Sequence, residues 1–367
     1  MLHRYLITKR RFLSDKLTGD PVLWLKTRRR RVPSSQSTMP ILRSLASLRN
    51  LFLDRCVLRP TRQAIDPGDL RRCELSLAPS ATGPARTIEC YVATDLATKM
   101  ATDPAANELP QESPLQGATT LADWDDAPAP KTLLIKFPGT AGRAERSSPF
   151  PLNLVADQDG QTDPSRAESP GNPAGHYEAW TWNPPGYGQS TGRASLVDLV
   201  PAAEAFATAV VRSRCGPDTQ IWLCGNSLGC LSALSLAARP ADWLPPESTA
   251  DRCVLWLRNP PDLANTILRV ADRYASRPWM RRLVAHLPAD LSSIDNAAHC
   301  HLPAVFLMSE FDELVPPSIQ QKIHDAYAGE HSVVTLTDLG HGGLIEEQHY
   351  PDIQAALSWL MEAATSH

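Results

Sequence analysis

The sequence predicts an α/β fold, a mostly parallel sheet of about eight strands flanked by helices. Six short apolar runs, Thr132–Phe137, Tyr177–Trp182, Ile221–Leu223, Val254–Leu257, Ala304–Met308 and Val333–Leu336, recur with helical segments between them, which is the signature of β-α-β units. A chain of 367 residues with 43% hydrophobic content also has ample material for a large core.

The elements follow in order. From Leu42 through Leu45, Leu48 and Phe52 apolar residues recur every three or four positions, predicting an amphipathic helix that packs on the domain. Alternation at Cys73, Leu75 and Leu77, then apolar Ile88, Cys90 and Tyr91, predicts two strands joined across the turn-rich Pro79–Pro84, an antiparallel hairpin at a sheet edge. Two stretches, Asp103–Pro130 and Ala156–Pro173, are rich in Pro, Ala, Asp, Gln and Ser and are expected to add little to the core. Leu196–Val211, Leu228–Ala238 and Ile353–Met361 have helical spacing or composition. Pro261–His301 lies between two predicted strands and is too long for a simple crossover, so a helical cap insertion over the site is expected there.

The net charge of −4 is small for this length and gives no global reason to expect nucleic acid as a partner. The balance is uneven, however. Residues 1–39 hold ten Lys or Arg against Asp15 and Asp20, a net of +8, which leaves −12 for residues 40–367. Such a leader would suit a peripheral membrane contact, but a charge run is as a rule a solvated tail, and a natural start at Met39 is an alternative. It lacks the apolar core of a secretory signal. No stretch reaches the 18 or more uninterrupted apolar residues of a spanning helix, since Ile41–Leu58 is broken by Arg43, Arg49, Asp54 and Arg55. Eight scattered cysteines, with no C-x-x-C pair and no His at zinc spacing, are expected to be reduced thiols of a cytoplasmic protein.

The residues that carry chemistry begin with Ile221-Trp222-Leu223-Cys224-Gly225-Asn226-Ser227-Leu228-Gly229, a strand that runs into G-x-S-x-G and then a helix. A serine on so sharp a turn needs small neighbours two residues either side, and the helix aims its first N–H groups at the reacting centre. Alone, the motif is equally a tight strand-to-helix turn. A serine hydroxyl becomes a nucleophile only when a base takes its proton, so a carboxylate and a histidine should follow in that order. Ala304–Met308 ends in the acidic loop Ser309-Glu310-Phe311-Asp312-Glu313, where Asp312 has the reach to turn back over the sheet edge; Glu310 and, after the preceding strand, Asp262 are rivals, and Glu313 should face solvent. Val333–Leu336 leads into Leu339-Gly340-His341-Gly342-Gly343, whose glycines let the imidazole approach another loop closely. His331 and His349 are expected at the surface. Acyl transfer also needs oxyanion donors, for which the Leu228 N–H and, from the loop Phe137-Pro138-Gly139-Thr140-Ala141-Gly142, the Thr140 N–H are the candidates.

From Arg59 to the C-terminus these pieces resemble the α/β-hydrolase family, and within it the ABHD-type and dienelactone-hydrolase-like branches. The likeness adds Pro60-Thr61-Arg62, Pro185-Gly186-Tyr187-Gly188-Gln189-Ser190 and the Asp312-to-Pro316 acid loop, in family order. Pro138 departs from the His that commonly precedes Gly in the oxyanion loop. The resemblance implies no metal and no cofactor and does not give the substrate. The chemistry of the three residues predicts an esterase acting on a small-molecule ester or acyl compound. A thioesterase or acyl-peptidase on the same residues, and a catalytically silent binding protein, are the alternatives.

Overall fold

The computed structural model describes residues 39–77, 85–94, 119–124, 127–156, 176–246, 250–272 and 277–365, with the side chains of 39–46, 119, 155, 156 and 365 excepted. The basic leader before Met39 and most of the two polar stretches lie outside them. The chain divides into two compact units, Met1–Ser47 and Leu48–His367, and the second holds the whole sheet.

Helix α1 (Met39–Val57) leads to a nine-stranded sheet made of β1 (Arg71–Leu77), β2 (Arg86–Thr94), β3 (Thr119–Thr120), β4 (Thr132–Phe137), β5 (Tyr177–Trp182), β6 (Gln220–Asn226), β7 (Cys253–Arg258), β8 (Ala304–Ser309) and β9 (His331–Leu336). The spatial order is β3-β1-β2-β5-β4-β6-β7-β8-β9. β1 and β2 pair antiparallel, with Cys73 opposite Cys90, and β2 pairs antiparallel with β5. From β5 to β9 every pairing is parallel. The ninth strand, beyond the expected eight, is the two-residue β3 on the outer edge of β1.

The parallel strands are apolar almost throughout because both faces are covered. Alternate residues go to opposite sides. Leu133, Ile135, Phe137, Leu223, Leu255, Leu257 and Phe306 join one core cluster, which they share with α2 (Leu199–Arg214) and α3 (Gly229–Ala238). Leu134, Trp222, Cys224, Val254, Trp256 and Val305 join the other, under the C-terminal helix α8 (Tyr350–Thr365). Between β7 and β8 lie α4 (Leu263–Asp272), α5 (Arg277–Val284) and α6 (Ser293–Ala297), and α7 (Pro317–Ala326) joins β8 to β9. Buried residues of α4 to α6, including Leu263, Met280 and Ala297, belong to the same cluster as α3.

Two expectations are corrected. The stretch Asp103–Pro130 does reach the core, through Trp124, which is 4% exposed and packs edge-on against Trp180 at 5.2 Å. Its carbonyl, with those of Ala127 and Pro128, accepts hydrogen bonds from the buried Arg214 guanidinium, whose charge is balanced by Glu178. An indole inside a polar segment is enough to anchor it. His349 is not at the surface either: it is 3% exposed, with Nε2 2.9 Å from the Thr337 carbonyl, and closes the turn before α8. His331 is half-buried beside Phe306 and Tyr327.

Candidate active site

The C-terminal ends of β6, β8 and β9 bring Ser227, Asp312 and His341 together. Ser227 follows the last residue of β6 in a left-handed conformation, φ +50°, which costs a non-glycine residue about 1–2 kcal/mol and is held by what surrounds it. The flanking glycines explain how. A Cβ on Gly225 would lie 2.6 Å from the Cys230 Cα, and one on Gly229 would lie 1.9 Å from the Phe137 carbonyl oxygen. The turn is therefore closed to side chains on both sides, and the Ser227 N–H is fixed by the Arg258 carbonyl at 2.8 Å.

Ser227 Oγ lies 2.9 Å from His341 Nε2, and His341 Nδ1 lies 2.7 Å from Asp312 Oδ2. The Asp312 side chain is fully buried. Its Oδ1 accepts the N–H groups of Leu314 (2.9 Å) and Val315 (2.7 Å), while Oδ2 also faces Gln320 Nε2 at 3.3 Å. Both oxygens of this carboxylate are thus engaged, as a buried carboxylate requires. The rivals lie elsewhere: Glu310 accepts from the Asp338 N–H, Asp262 from the Asn265 N–H at the start of α4, and Glu313 is exposed.

Gly139 packs directly on Ser227, since a Cβ there would stand 3.3 Å from the Ser227 Cβ. Thr140 follows it. Its hydroxyl donates to the Val57 carbonyl, and its own carbonyl accepts the Tyr187 hydroxyl at 2.9 Å. Neither the Thr140 N–H nor the Leu228 N–H has a protein acceptor among the described residues. The loop after Pro138 is thus braced by the Tyr187 hydroxyl and the Val57 carbonyl at the end of α1.

The Pro185–Ser190 segment owes its shape to Glu89. That carboxylate accepts the Gln189 N–H (2.8 Å), Asn183 Nδ2 (2.7 Å), Arg72 Nε (2.9 Å) and the Tyr91 hydroxyl (3.1 Å). Burial alone would raise its pKa, but these donors together outweigh burial and hold the carboxyl below the usual range.

Sequence reasoning missed two residues that tie the Ser227 turn to the His341 loop. Asn259, wholly buried at φ +51°, gives Nδ2 to the Ser309 hydroxyl (3.0 Å) and to the His341 carbonyl (3.3 Å), and its Oδ1 accepts the Ser309 N–H (2.8 Å). The Arg258 guanidinium donates to the Gly343 carbonyl. Burial pushes that guanidinium's pKa down, against the pull of the Asp312 charge. Residues 258–259 therefore hold the turn after β6 with a backbone carbonyl and the histidine loop with two side chains. A polar pair just past an apolar strand was the only signal for this in the sequence.

No group of three or more His, Cys, Asp or Glu that could hold a metal ion occurs among the described residues, and no described helix is long and apolar enough to cross a membrane.

A parallel sheet in this order, preceded by an antiparallel hairpin and carrying a serine on the turn from its central strand to a helix, is the α/β-hydrolase fold. Solved structures similar to the chain include acetyl xylan esterase 1 from Thermoanaerobacterium sp. (13% identity, TM-score 0.47, covering 86% of this chain and 93% of that one). An esterase from Pyrococcus furiosus (12%, 0.46, 83% and 97%) and a serine hydrolase without lid from Xanthomonas campestris (16%, 0.38, 82% and 97%) are also similar. No family model and no curated protein matches the sequence. Similarity at this level says nothing of substrate.

Proposed function

We propose that the protein is a serine hydrolase that cleaves a carboxylic ester through an acyl-enzyme. The observation that carries this is the unbroken hydrogen-bond line from Ser227 Oγ through both nitrogens of His341 to the buried Asp312. His341 Nε2 takes the Ser227 proton as Oγ attacks the carbonyl carbon. The negative charge that develops on the substrate oxygen is met by the Leu228 and Thr140 N–H groups, the former at the N-terminus of α3, where the helix dipole adds to it. His341 then protonates the departing alkoxide. Water, deprotonated by the same imidazole, attacks the acyl-serine and restores the hydroxyl. Asp312 holds the ring in the tautomer that keeps Nε2 free to accept, and it balances the imidazolium.

A thioester or an activated amide would pass through the same steps; an alcohol departs more readily than an amine, so an ester asks less of the half-buried His341 than an amide does. Fluorophosphonate labelling tests the proposal. The wild type should be labelled at Ser227, and Ser227→Ala should lose both labelling and turnover, the latter by about 10⁶-fold. Asp312→Asn, which favours the wrong tautomer, should lower kcat by about 10⁴-fold with little change in KM. A folded wild type that neither labels nor turns over any acyl ester would instead make this a binding protein on a hydrolase fold.

A further inference from the structure

A small cleft opens beside the nucleophile turn on the β4–β5 side of the sheet, with about 20 Å³ open to the centre of a water-sized sphere. It is lined by Leu58, Phe137, Trp182, Tyr187, Leu199 and Ser232, and also by Gly139 and Leu228, the first packed on Ser227 and the second next to it in the chain. No residue of the Asp312 or His341 loops contributes to it. That placement decides what it can hold. A carbonyl whose oxygen lies between the Leu228 and Thr140 amides must turn its leaving group toward His341, which supplies the proton for departure. Its other substituent then points away from His341, to the side where the cleft lies.

Ser232 supplies the second observation. It is 1% exposed, it lines the cleft, and its hydroxyl has no hydrogen-bond partner among the described residues. A buried hydroxyl left unpaired is costly, and one on a helix could have turned to a carbonyl of the preceding turn. Ser232 lies four residues after Leu228, so about one turn of α3, roughly 5–6 Å, separates the oxyanion amide from this hydroxyl. An acyl chain that starts at the carbonyl carbon covers that distance with its third or fourth carbon.

Resting on the hydrolase reading above, we propose that this cleft is the acyl site, that it selects acyl groups of about two to four carbons, and that Ser232 recognises a hydroxyl or oxo substituent near the end of the chain. Ser195 and Tyr187 also line it, but Leu58, Phe137, Trp182 and Leu199 belong to the main core, so longer chains meet packed protein rather than solvent.

The test uses the full-length enzyme with 4-nitrophenyl acetate, butanoate, 3-hydroxybutanoate and octanoate, alongside fluorophosphonate labelling of Ser227. The expected order of kcat/KM puts octanoate at least about 100-fold below butanoate, and 3-hydroxybutanoate about tenfold above it, the worth of one buried hydrogen bond. In Ser232→Ala the hydroxybutanoate-to-butanoate ratio should fall to near one, whereas Ser232→Thr, which keeps the hydroxyl and narrows the cleft, should keep the ratio and penalise butanoate relative to acetate. Labelled enzyme that turns over octanoate as well as butanoate, or a ratio unmoved in Ser232→Ala, would overturn the acyl-site assignment and leave the hydrolase intact. Loss of labelling and of turnover of every ester would overturn both.

Discussion

Asn259 offers the sharpest way to ask whether buried side chains hold the active-site loops in place. Replacing it by alanine removes its bonds to the Ser309 N–H and hydroxyl and to the His341 carbonyl, in a position with no exposure to water. An orphaned buried donor costs about 1–3 kcal/mol. Alanine at φ +51° adds roughly 1 kcal/mol of backbone strain, a little more than asparagine pays, so the total loss should be about 3 kcal/mol. Asn259→Gly loses the same hydrogen bonds but not the strain. Part of that relief is offset by the greater freedom of glycine in the unfolded chain, which leaves Asn259→Gly about 0.5–1 kcal/mol more stable than Asn259→Ala. Urea unfolding of the three proteins measures this directly. Because His341 would lose one of the bonds that fix its backbone, both variants should also show a kcat reduced about tenfold at nearly constant KM. If alanine and glycine destabilise equally, the strain argument is wrong; if kcat is unchanged in both, Asn259 does not position the base.

Two further outcomes come from the packing. Gly229→Ala puts a methyl group 1.9 Å from the Phe137 carbonyl, so β4 and α3 must separate; the loss of stability should exceed about 3 kcal/mol, and soluble yield together with thermal unfolding would show it. At Glu178, burial alone would raise the pKa, but hydrogen bonds from His176, Arg214 and Trp180 outweigh burial and leave it lowered. A depressed folded pKa means that this carboxylate stabilises the fold above its unfolded value, about 4.3, and that the contribution is lost as pH falls through the folded value. Glu178→Gln should therefore be less stable at pH 7, with Arg214 left buried and unpaired, by about 3–5 kcal/mol. Its stability should then fall less steeply than the wild type's below pH 5, which urea titrations at several pH values would reveal.

Much of this architecture could be read from the residues. The runs at Thr132–Phe137 and Tyr177–Trp182 coincide with β4 and β5 because strands covered on both faces carry a dense apolar signal even where Lys136, Glu178 or Thr181 interrupts it. That Ser227, Asp312 and His341 would meet could be read for a related reason: each sits just past such a strand, in a segment whose glycines or acidic residues break the pattern. What stayed hidden depends on partners far away in the chain. Trp124 sits in a polar stretch and is core only because Trp180 and Arg214 come to meet it. His349 is buried because the Thr337 carbonyl needs a donor. α7, with Gln320 turned in toward Asp312, has too mixed a composition in PSIQQKIHDA to announce itself, yet it supplies one of the donors to the Asp312 carboxylate. Asn259 and Arg258 could not be assigned from sequence, because their roles exist only once β7 lies between β6 and β8.

The passage from Val57 to Gln63 is threaded beside the Gly139–Thr140 loop. Val57 takes the Thr140 hydroxyl, the Arg59 amide donates to the Tyr187 hydroxyl, and the carbonyls of Thr61 and Gln63 accept from Arg143. A shortened gene that opened at the first strand would keep all nine strands together with Ser227, Asp312 and His341 while discarding this strap. Such a protein would be a complete scaffold with a slack Gly139–Thr140 loop, and the smallest unit that holds this site in shape therefore begins upstream of its sheet.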